Sequence, residues 1–390
     1  GRRRARHRSK GGKTDMVTIK EAVTRRELVR FMEFPNRLYR GNPHYVPDML
    51  DSQVKDMQRD KNPAFEYCEA KCFLALRGRR IVGRIACIMN RRANEKFGKQ
   101  YMNISHIDFI DDDEVVDALF DAAEAYARQM GCTAVHGPLG FSDMDREGML
   151  IEGFDQRSLF YTYYNHPYYV TQMERRGYGK EVDWFEYRVT IPDKPNERIE
   201  RMAAMIRRRY HLHTVDLDHL DRPLPQLVED VFRLYNETYL ALFGVVALTS
   251  RQVKKYVGEF LPMVQGRTTS FVYNEKDELV AFGICCPSLD GAQQKNGGRL
   301  FPFGWLPMLR ALKSRRNEQL DMLLVAVKPE LQGCGINAVV MDDMQHKVIA
   351  SGFRYAETGP QLEFNTKVQS QWKFFETVQH KKRRCWVREL

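Results

Sequence analysis

Residues 332–335 read Gln-Gly-Cys-Gly, set between the apolar run Leu323–Val327 and a helical pattern that begins at Ile336. Strand, Gly-rich turn and helix in that order make a device for holding an anion. The start of a helix leaves backbone N–H groups without partners and carries a partial positive charge. Glycine lets the chain turn sharply and lets a ligand come close to the backbone. Phosphate groups exploit this arrangement. Neither common nucleotide pattern fits, since no Gly-Lys-Ser/Thr follows and the spacing is not Gly-x-Gly-x-x-Gly. The stretch therefore predicts a phosphate-bearing ligand at Gln332, Gly333, Cys334, Gly335, Ile336 and Asn337.

The elements that must position this turn occur twice along the chain. Segment 16–42 reads as a short alternating strand and an amphipathic helix, and segment 213–238 repeats that plan. Segments 73–88 and 270–286 each read as two apolar strands around a short charged turn, which is a hairpin signal. Segments 122–138 and 344–360 each run through a helix end, a Gly, a strand and a Gly-Pro. In the first copy Val116, Leu119, Ala123, Tyr126 and Met130 recur at helical spacing, with acids from Asp111 to Glu114 at the start and Gly131 as a stop. In the second, strand 321–327 enters the turn, and a helix 337–350 carries Val340, Met344 and Val348 on one stripe after Ile336. Two mixed α/β units are expected, over residues 16–192 and 193–390, joined near Pro192–Pro195. A basic helix, 197–209, leads into the second.

The pattern Val-x-Pro-x-x-Gln-Gly-x-Gly resembles the acyl-CoA pyrophosphate loop of the GNAT superfamily of N-acyltransferases, with Gln332, Gly335 and Asn337 at its key positions. The resemblance covers both units, about 375 residues. It extends to "GPLGFSDMDREGMLIEGFD", "YNHPYY" and "LFPFGWLPMLRALK", which are similar to a bacterial group of tandem GNAT proteins of poorly defined substrate. It implies two tandem GNAT-like domains, the second binding acetyl-CoA or a longer acyl-CoA. It also implies backbone donors at Val325, Ala326 and Val327, and a contact from Asn365 to the pantetheine arm. The corresponding turn of the first unit, 109–116, has no glycine and four acids, which would repel a pyrophosphate at close range. The first unit is expected to be a degenerate copy that completes the core and walls the acceptor pocket.

Amide formation from an acyl thioester needs a base for the amine, a donor for the developing oxyanion and an acid for the thiolate. Glu357, on the strand "RYAETG", is the predicted base. The tyrosine that serves as acid in the superfamily falls near Phe374 and Phe375, neither of which can give a proton. The first unit offers Asp143, Asp145, Glu147 and Glu152 in a Gly-bounded segment, and Asn165, His166 and Tyr169 in an aromatic run. Of these, Glu147, Asn165, His166 and Tyr169, with Trp305, are the candidates for the acceptor pocket. No His/Cys/carboxylate cluster has metal-ligand spacing, and no metal is expected.

Composition bounds the alternatives. With 390 residues, 43% apolar and 29% charged, the chain can bury two ordinary cores. No uncharged apolar run reaches membrane-span length. The basic start has no apolar stretch behind it, so no signal peptide is expected. Eight scattered cysteines without a CxxC pair suit a reducing compartment, and a cytoplasmic location is expected. Of the net charge of +10, residues 1–15 hold +6 (seven Lys/Arg, one Asp), leaving +4 elsewhere. That tail is expected to be disordered, either as an arm for nucleic acid or an anionic membrane or as residues foreign to the protein, with Met16 as the natural first residue. The remaining charge does not call for a specific nucleic-acid partner.

In segment 297–317, Trp305, Leu306, Leu309 and Leu312 alternate with Arg310, Lys313, Arg315 and Arg316. This predicts a lid over an acyl chain or peripheral contact with the inner membrane surface. The leading function is acyl-CoA-dependent transfer to an amine, a small molecule or a long-chain amino-lipid base. The alternatives are a non-catalytic acyl-CoA-binding sensor and an aminoacyl-tRNA-dependent transferase. RNA binding would require a broad basic surface outside the tail.

Overall fold

The computed structural model describes residues 15–390, so the expectation for the basic tail lies outside the described residues apart from Asp15. Fourteen strands form one continuous mixed sheet. Those of the first half are β1 (Val17–Glu21), β2 (Cys68–Arg77), β3 (Arg80–Asn90), β4 (Tyr101–Phe109), β5 (Ala134–Gly137), β6 (Met149–Glu152) and β7 (Gly179–Thr190). The second half holds β8 (His213–Val215), β9 (Thr269–Tyr273), β10 (Leu279–Pro287), β11 (Gln319–Val327), β12 (Tyr355–Glu357), β13 (Gln361–Leu362) and β14 (Thr377–Glu389).

The order β1-β2-β3-β4-β5-β14-β7-β12-β11-β10-β9-β8 has a pseudo-twofold centre between β14 and β7. On each side four antiparallel strands lead to one parallel neighbour, β4 with β5 and β11 with β12. The end strands are exchanged. β7, from the first half, pairs with β12, and β14, from the second, pairs with β5. Neither half closes its sheet with its own chain. Buried charge crosses the seam: Lys381 Nζ lies 2.8 Å from Glu186, and Arg383 pairs with the same carboxylate. Burial pushes the Glu186 carboxyl up, but the two cations hold it down at about 2.

Local sequence accounts for the elements beside each parallel pair. The helix Asp113–Gln129 starts where Asp112 accepts from Val115 N–H (3.3 Å), and Gly131 follows its end at φ +76°. Its Val115, Val116, Leu119, Phe120 and Ala123 pack into the core of the first half. The helix Arg25–Leu38 covers the opposite face with Leu28, Phe31 and Met32. In the second half, helices Asn337–Ala350 and Glu197–Tyr210 share one core, and Leu224–Tyr239 supplies Leu227, Val231 and Leu234 to another. The hairpins predicted at 73–88 and 270–286 are β2–β3 and β9–β10. After Asn365 a short helix, Thr366–Ser370, continues as a tight 3₁₀ turn, Gln371–Phe374.

Candidate functional site

Strand β11 pairs with β12 only through Gln319, Leu320 and Asp321, after which the two diverge. Residues 322–327 of β11 thus keep β10 on one side and on the other face a space that no strand fills, where the side chains of Tyr161, Tyr239 and Gln332 bond Met322, Val325 and Val327. That space is a cavity of about 960 Å³. Its walls include β11 from Met322 to Val327, the turn residues Gln332, Gly333 and Gly335, and Ile336, Asn337 and Asn365. The far wall comes from the first half and carries Asp143, Asp145 and Glu147. The cavity also has an apolar lining that includes Leu227, Val231, Phe232, Phe260, Leu261 and Val264.

The turn has the geometry that its glycines predict. Gly333 and Gly335 sit at φ +81° and +82°, where an L side chain is strained. The N–H groups of Gly333, Gly335, Ile336 and Asn337 find no acceptor among the described residues. The helix that follows has no side-chain cap, and the Asn337 side-chain oxygen is buried without a partner. Gln332 Nε2 donates to Val327 C=O (3.2 Å), which ties the turn back to the strand. This half-exposed helix start, with Ile336 buried and Gly333 exposed, leaves its N–H groups free to take an external acceptor. The residues present fit a pyrophosphate there, and the open edge of β11 fits an extended arm that seeks backbone hydrogen bonds.

In the first half the equivalent space is closed. Asp112 caps its own helix and pairs with Arg77 (2.9 Å), and Glu114 accepts from Arg77 (2.8 Å) and from Val17 N–H (3.0 Å). The gap between β4 and β5 is filled as well. Leu139 N–H donates to Ile104 C=O (2.9 Å), and a Cβ on Gly137 would stand 2.2 Å from that same oxygen.

The carboxyls of the far wall are strongly perturbed. Burial pushes Glu147 up to about 8, with the neighbouring Asp143 adding to the shift and Arg383 opposing it. Burial raises Asp143 to about 6 against the hydrogen bond that it accepts from Tyr235. Asp145 is raised by burial while Phe141 N–H (2.7 Å) and Ser142 N–H (3.2 Å) donate to it. Glu147 is accessible from the cavity and no hydrogen bond holds its charge, so it is the wall carboxyl suited to exchange a proton near neutrality.

The structure separates other predicted residues from the cavity. Glu357 lies on the opposite face of β12, because Ala356 and Thr358 take the cavity side. Its carboxylate accepts from Arg188 Nε (2.7 Å) and lies 2.6 Å from His380 Nε2. Burial raises it, yet His380, Lys381 and Arg188 together keep it below the usual carboxylate range. A carboxylate so held is a poor base for an amine that it does not face. Asn165 holds Leu150 by both N–H (2.7 Å) and C=O (2.9 Å). Tyr169 is fully buried, bonded to Tyr39 (2.8 Å) and receiving Phe109 N–H (3.1 Å). His166 stacks on Tyr168. Asn165 and Tyr169 build the interior of the first half, and His166 is half-buried beside them. Trp305 lies on an outer surface and Cys334 turns from the cavity, near Tyr210.

Tyr239 was missed. It ends the helix Leu224–Tyr239, lines the cavity, donates to Val325 C=O (2.9 Å) and accepts from Val325 N–H (3.4 Å). Its only signal was the helical spacing of Val231, Tyr235 and Tyr239. Burial raises its phenol, which keeps the proton in place. Phe375 does line the cavity, as the position of the absent tyrosine implies. Two groups with metal-ligand atoms also come together, His136–Glu181–Cys385 and Glu200–Asp342–His346. The first is satisfied internally: His136 meets Glu181 and Asn103 (2.7 Å each), and Lys99 also reaches Glu181 (2.7 Å).

No protein-family model matches the chain. It is 27% identical over 324 residues to a Caulobacter vibrioides protein named bacterial ceramide synthase, spanning 81% of this chain and 82% of that one. It is 25% identical over 334 residues to Protein YghO of Escherichia coli K12, spanning 84% of each. Among solved structures, a tandem GNAT protein from the clavulanic acid biosynthesis pathway superposes with a TM-score of 0.52 at 12% identity, over 96% of this chain and 98% of that one. A GCN5-related N-acetyltransferase from Sphaerobacter thermophilus gives 0.50 at 9% identity, over 96% and 95%. With two units of that plan joined through exchanged end strands, the chain has the tandem GNAT fold.

Proposed function

We propose that the chain is an acyl-CoA-dependent N-acyltransferase whose acceptor is a long-chain amino-lipid base. The observation that carries this reading is the continuity of one cavity. It runs from the unpartnered N–H groups at 333–337, along the open edge of β11, to the raised carboxyl of Glu147. Residues 193–390 act as the donor-binding unit, and 16–192 wall the acceptor side. The donor supplies an acyl group activated as a thioester. The turn N–H groups hold its pyrophosphate, and the edge of β11 aligns its arm by backbone hydrogen bonds. Val325 N–H, exchanged from Tyr239, donates to the thioester oxygen. Glu147 takes the proton of the amine, and Tyr239 gives one to the departing sulfur. The apolar lining supports a long chain, since each buried methylene contributes about 0.8 kcal/mol. The name of the Caulobacter vibrioides relative is compatible with a lipid acceptor.

Thermal-shift titration with CoA, acetyl-CoA and palmitoyl-CoA, kept below its micelle concentration, tests the reading. A ligand of the folded state raises the melting temperature, and palmitoyl-CoA is expected to do so at the lowest concentration. No shift with any of the three removes the reading. A preference for acetyl-CoA would keep the donor site and remove the long-chain assignment. Tyr239→Phe is expected to lower turnover by roughly 10²-fold, as loss of a positioned acid does, while leaving the CoA-induced shift intact. Unchanged turnover would show that the sulfur leaves without this phenol.

A further inference from the structure

We propose that the face built by residues 297–316 docks the protein on an anionic lipid bilayer. The inference concerns an outer surface and does not rest on the transferase reading.

Twelve large apolar side chains are exposed among the described residues, and five of them fall within ten positions: Leu300, Phe301, Phe303, Trp305 and Leu309. Phe301 is 83% and Phe303 71% exposed. Ordinary surfaces scatter such residues singly, and a cluster marks a binding face. The loop that presents them is fixed from behind. Trp305 N–H donates to Leu300 C=O (3.0 Å) and Asn296 Nδ2 to Gly304 C=O (3.0 Å). Gly298 C=O accepts from Leu50 N–H (2.9 Å), which anchors the loop to the first half. The aromatic rings therefore project from a braced turn.

Charge selects the occupant. Residues 291–317 hold six Lys/Arg and no carboxylate, a local charge of +6. Residues 16–390 net +4, so the remainder of that span sums to −2. Arg310, Lys313, Arg315 and Arg316 are exposed and make no ion pair among the described residues. A protein groove with acids would serve the cations but not the exposed rings of Phe301 and Phe303. An anionic bilayer serves both: rings enter the headgroup boundary and cations meet lipid phosphates. No helix among the described residues is long and apolar enough to cross a membrane, so this face would lie on the surface. The inner side of the same helix, Trp305–Lys313, packs Met308, Ala311 and Leu312 near Leu323, a residue of the cavity wall. Docking through this face brings the bilayer within one helix of the cavity.

The test is cosedimentation of the full chain with phosphatidylcholine vesicles, with and without phosphatidylglycerol, together with tryptophan emission. The wild type is expected to partition to the anionic vesicles, less so at high salt, with a blue shift that Trp305→Phe removes. Combined Phe301→Ser, Phe303→Ser and Trp305→Ser is expected to lower partitioning by at least about tenfold, at an unchanged melting temperature. Combined Arg310→Glu, Lys313→Glu, Arg315→Glu and Arg316→Glu changes only exposed heads and is expected to abolish the preference for phosphatidylglycerol. The proposal is overturned if the wild type stays in the supernatant. It is equally overturned if both variants partition like the wild type, which would assign binding to another segment such as the basic tail. A dimer that the aromatic variant dissolves, with no vesicle binding, would assign the face to a second copy instead.

Discussion

Gly335→Glu is expected to erase the thermal stabilisation that CoA gives, whatever acyl group it carries. Three effects act in one direction. The position sits at φ +82°, which costs an L residue roughly 1–2 kcal/mol. A Cβ there would stand 3.3 Å from Ile206 Cδ1, so the helix Glu197–Tyr210 must give way slightly. The new carboxylate then lies beside N–H groups that otherwise have no acceptor, and it repels a pyrophosphate by about 1 kcal/mol or more per charge pair at a partly wet surface. The first half already displays the outcome. Where its turn carries Asp112 and Glu114, the helix start is capped by its own side chain and by Arg77, and no N–H cradle remains. At a hundredfold excess over the dissociation constant, a ligand of the folded state contributes about 2.7 kcal/mol, and this is the amount the variant forfeits. Gly335→Ala keeps the strain without the charge and is expected to retain a weakened shift. A Gly335→Glu protein that CoA stabilises as well as the wild type would remove the turn from the site.

The sequence was readable where structure is local. The helix Asn337–Ala350 and the strand before it follow from an apolar run, two glycines and a helical stripe. Both hairpins follow from alternation around charged turns. Positions fixed by distant pairing were not readable. β7 and β14 look alike as alternating strands, and nothing local says that each closes the sheet of the other half. Glu357 illustrates a parity problem: successive side chains on a strand face opposite ways, but the sequence does not say which set faces the cavity. Ala356 of β12 and Thr358 just beyond it do, which leaves Glu357 with His380 of the exchanged strand. Tyr239 escaped notice because an acid was sought at 374 and 375, near the end of the unit. The helix that delivers a phenol to Val325 comes earlier in the chain and reaches the cavity from the other side of the sheet. Tyr169 packs in the core of the first half, stacked on Phe109 at the end of β4, a long-range contact that the aromatic run does not disclose.

Glu147→Gln is expected to lower turnover by roughly 10²–10⁴-fold, the usual contribution of a positioned base, and to leave CoA-induced stabilisation unchanged. Glutamine keeps the size of the side chain and removes the titration, so the loss reads the proton. The pH profile separates this role from a structural one. Burial and Asp143 raise the Glu147 carboxyl to about 8, so the basic form grows as pH rises and kcat/KM should climb through that range in the wild type. The climb should be absent from the residual rate of the variant. Stability must move the opposite way. An acid whose pKa is raised on folding binds its proton more tightly when folded. Below the unfolded value near 4.5 both states hold the proton and Glu147 contributes no pH dependence. Between there and about 8 the folded state alone holds it, and stability falls by about 1.4 kcal/mol per pH unit from this group. Above that range both states have lost it and the slope ends. Denaturant unfolding across this window should therefore show the wild type losing stability relative to Glu147→Gln as pH increases. If the two lines run parallel, the carboxyl is not perturbed. If they diverge while turnover is unaffected, Glu147 is a buried acid of the wall and another group takes the proton of the amine.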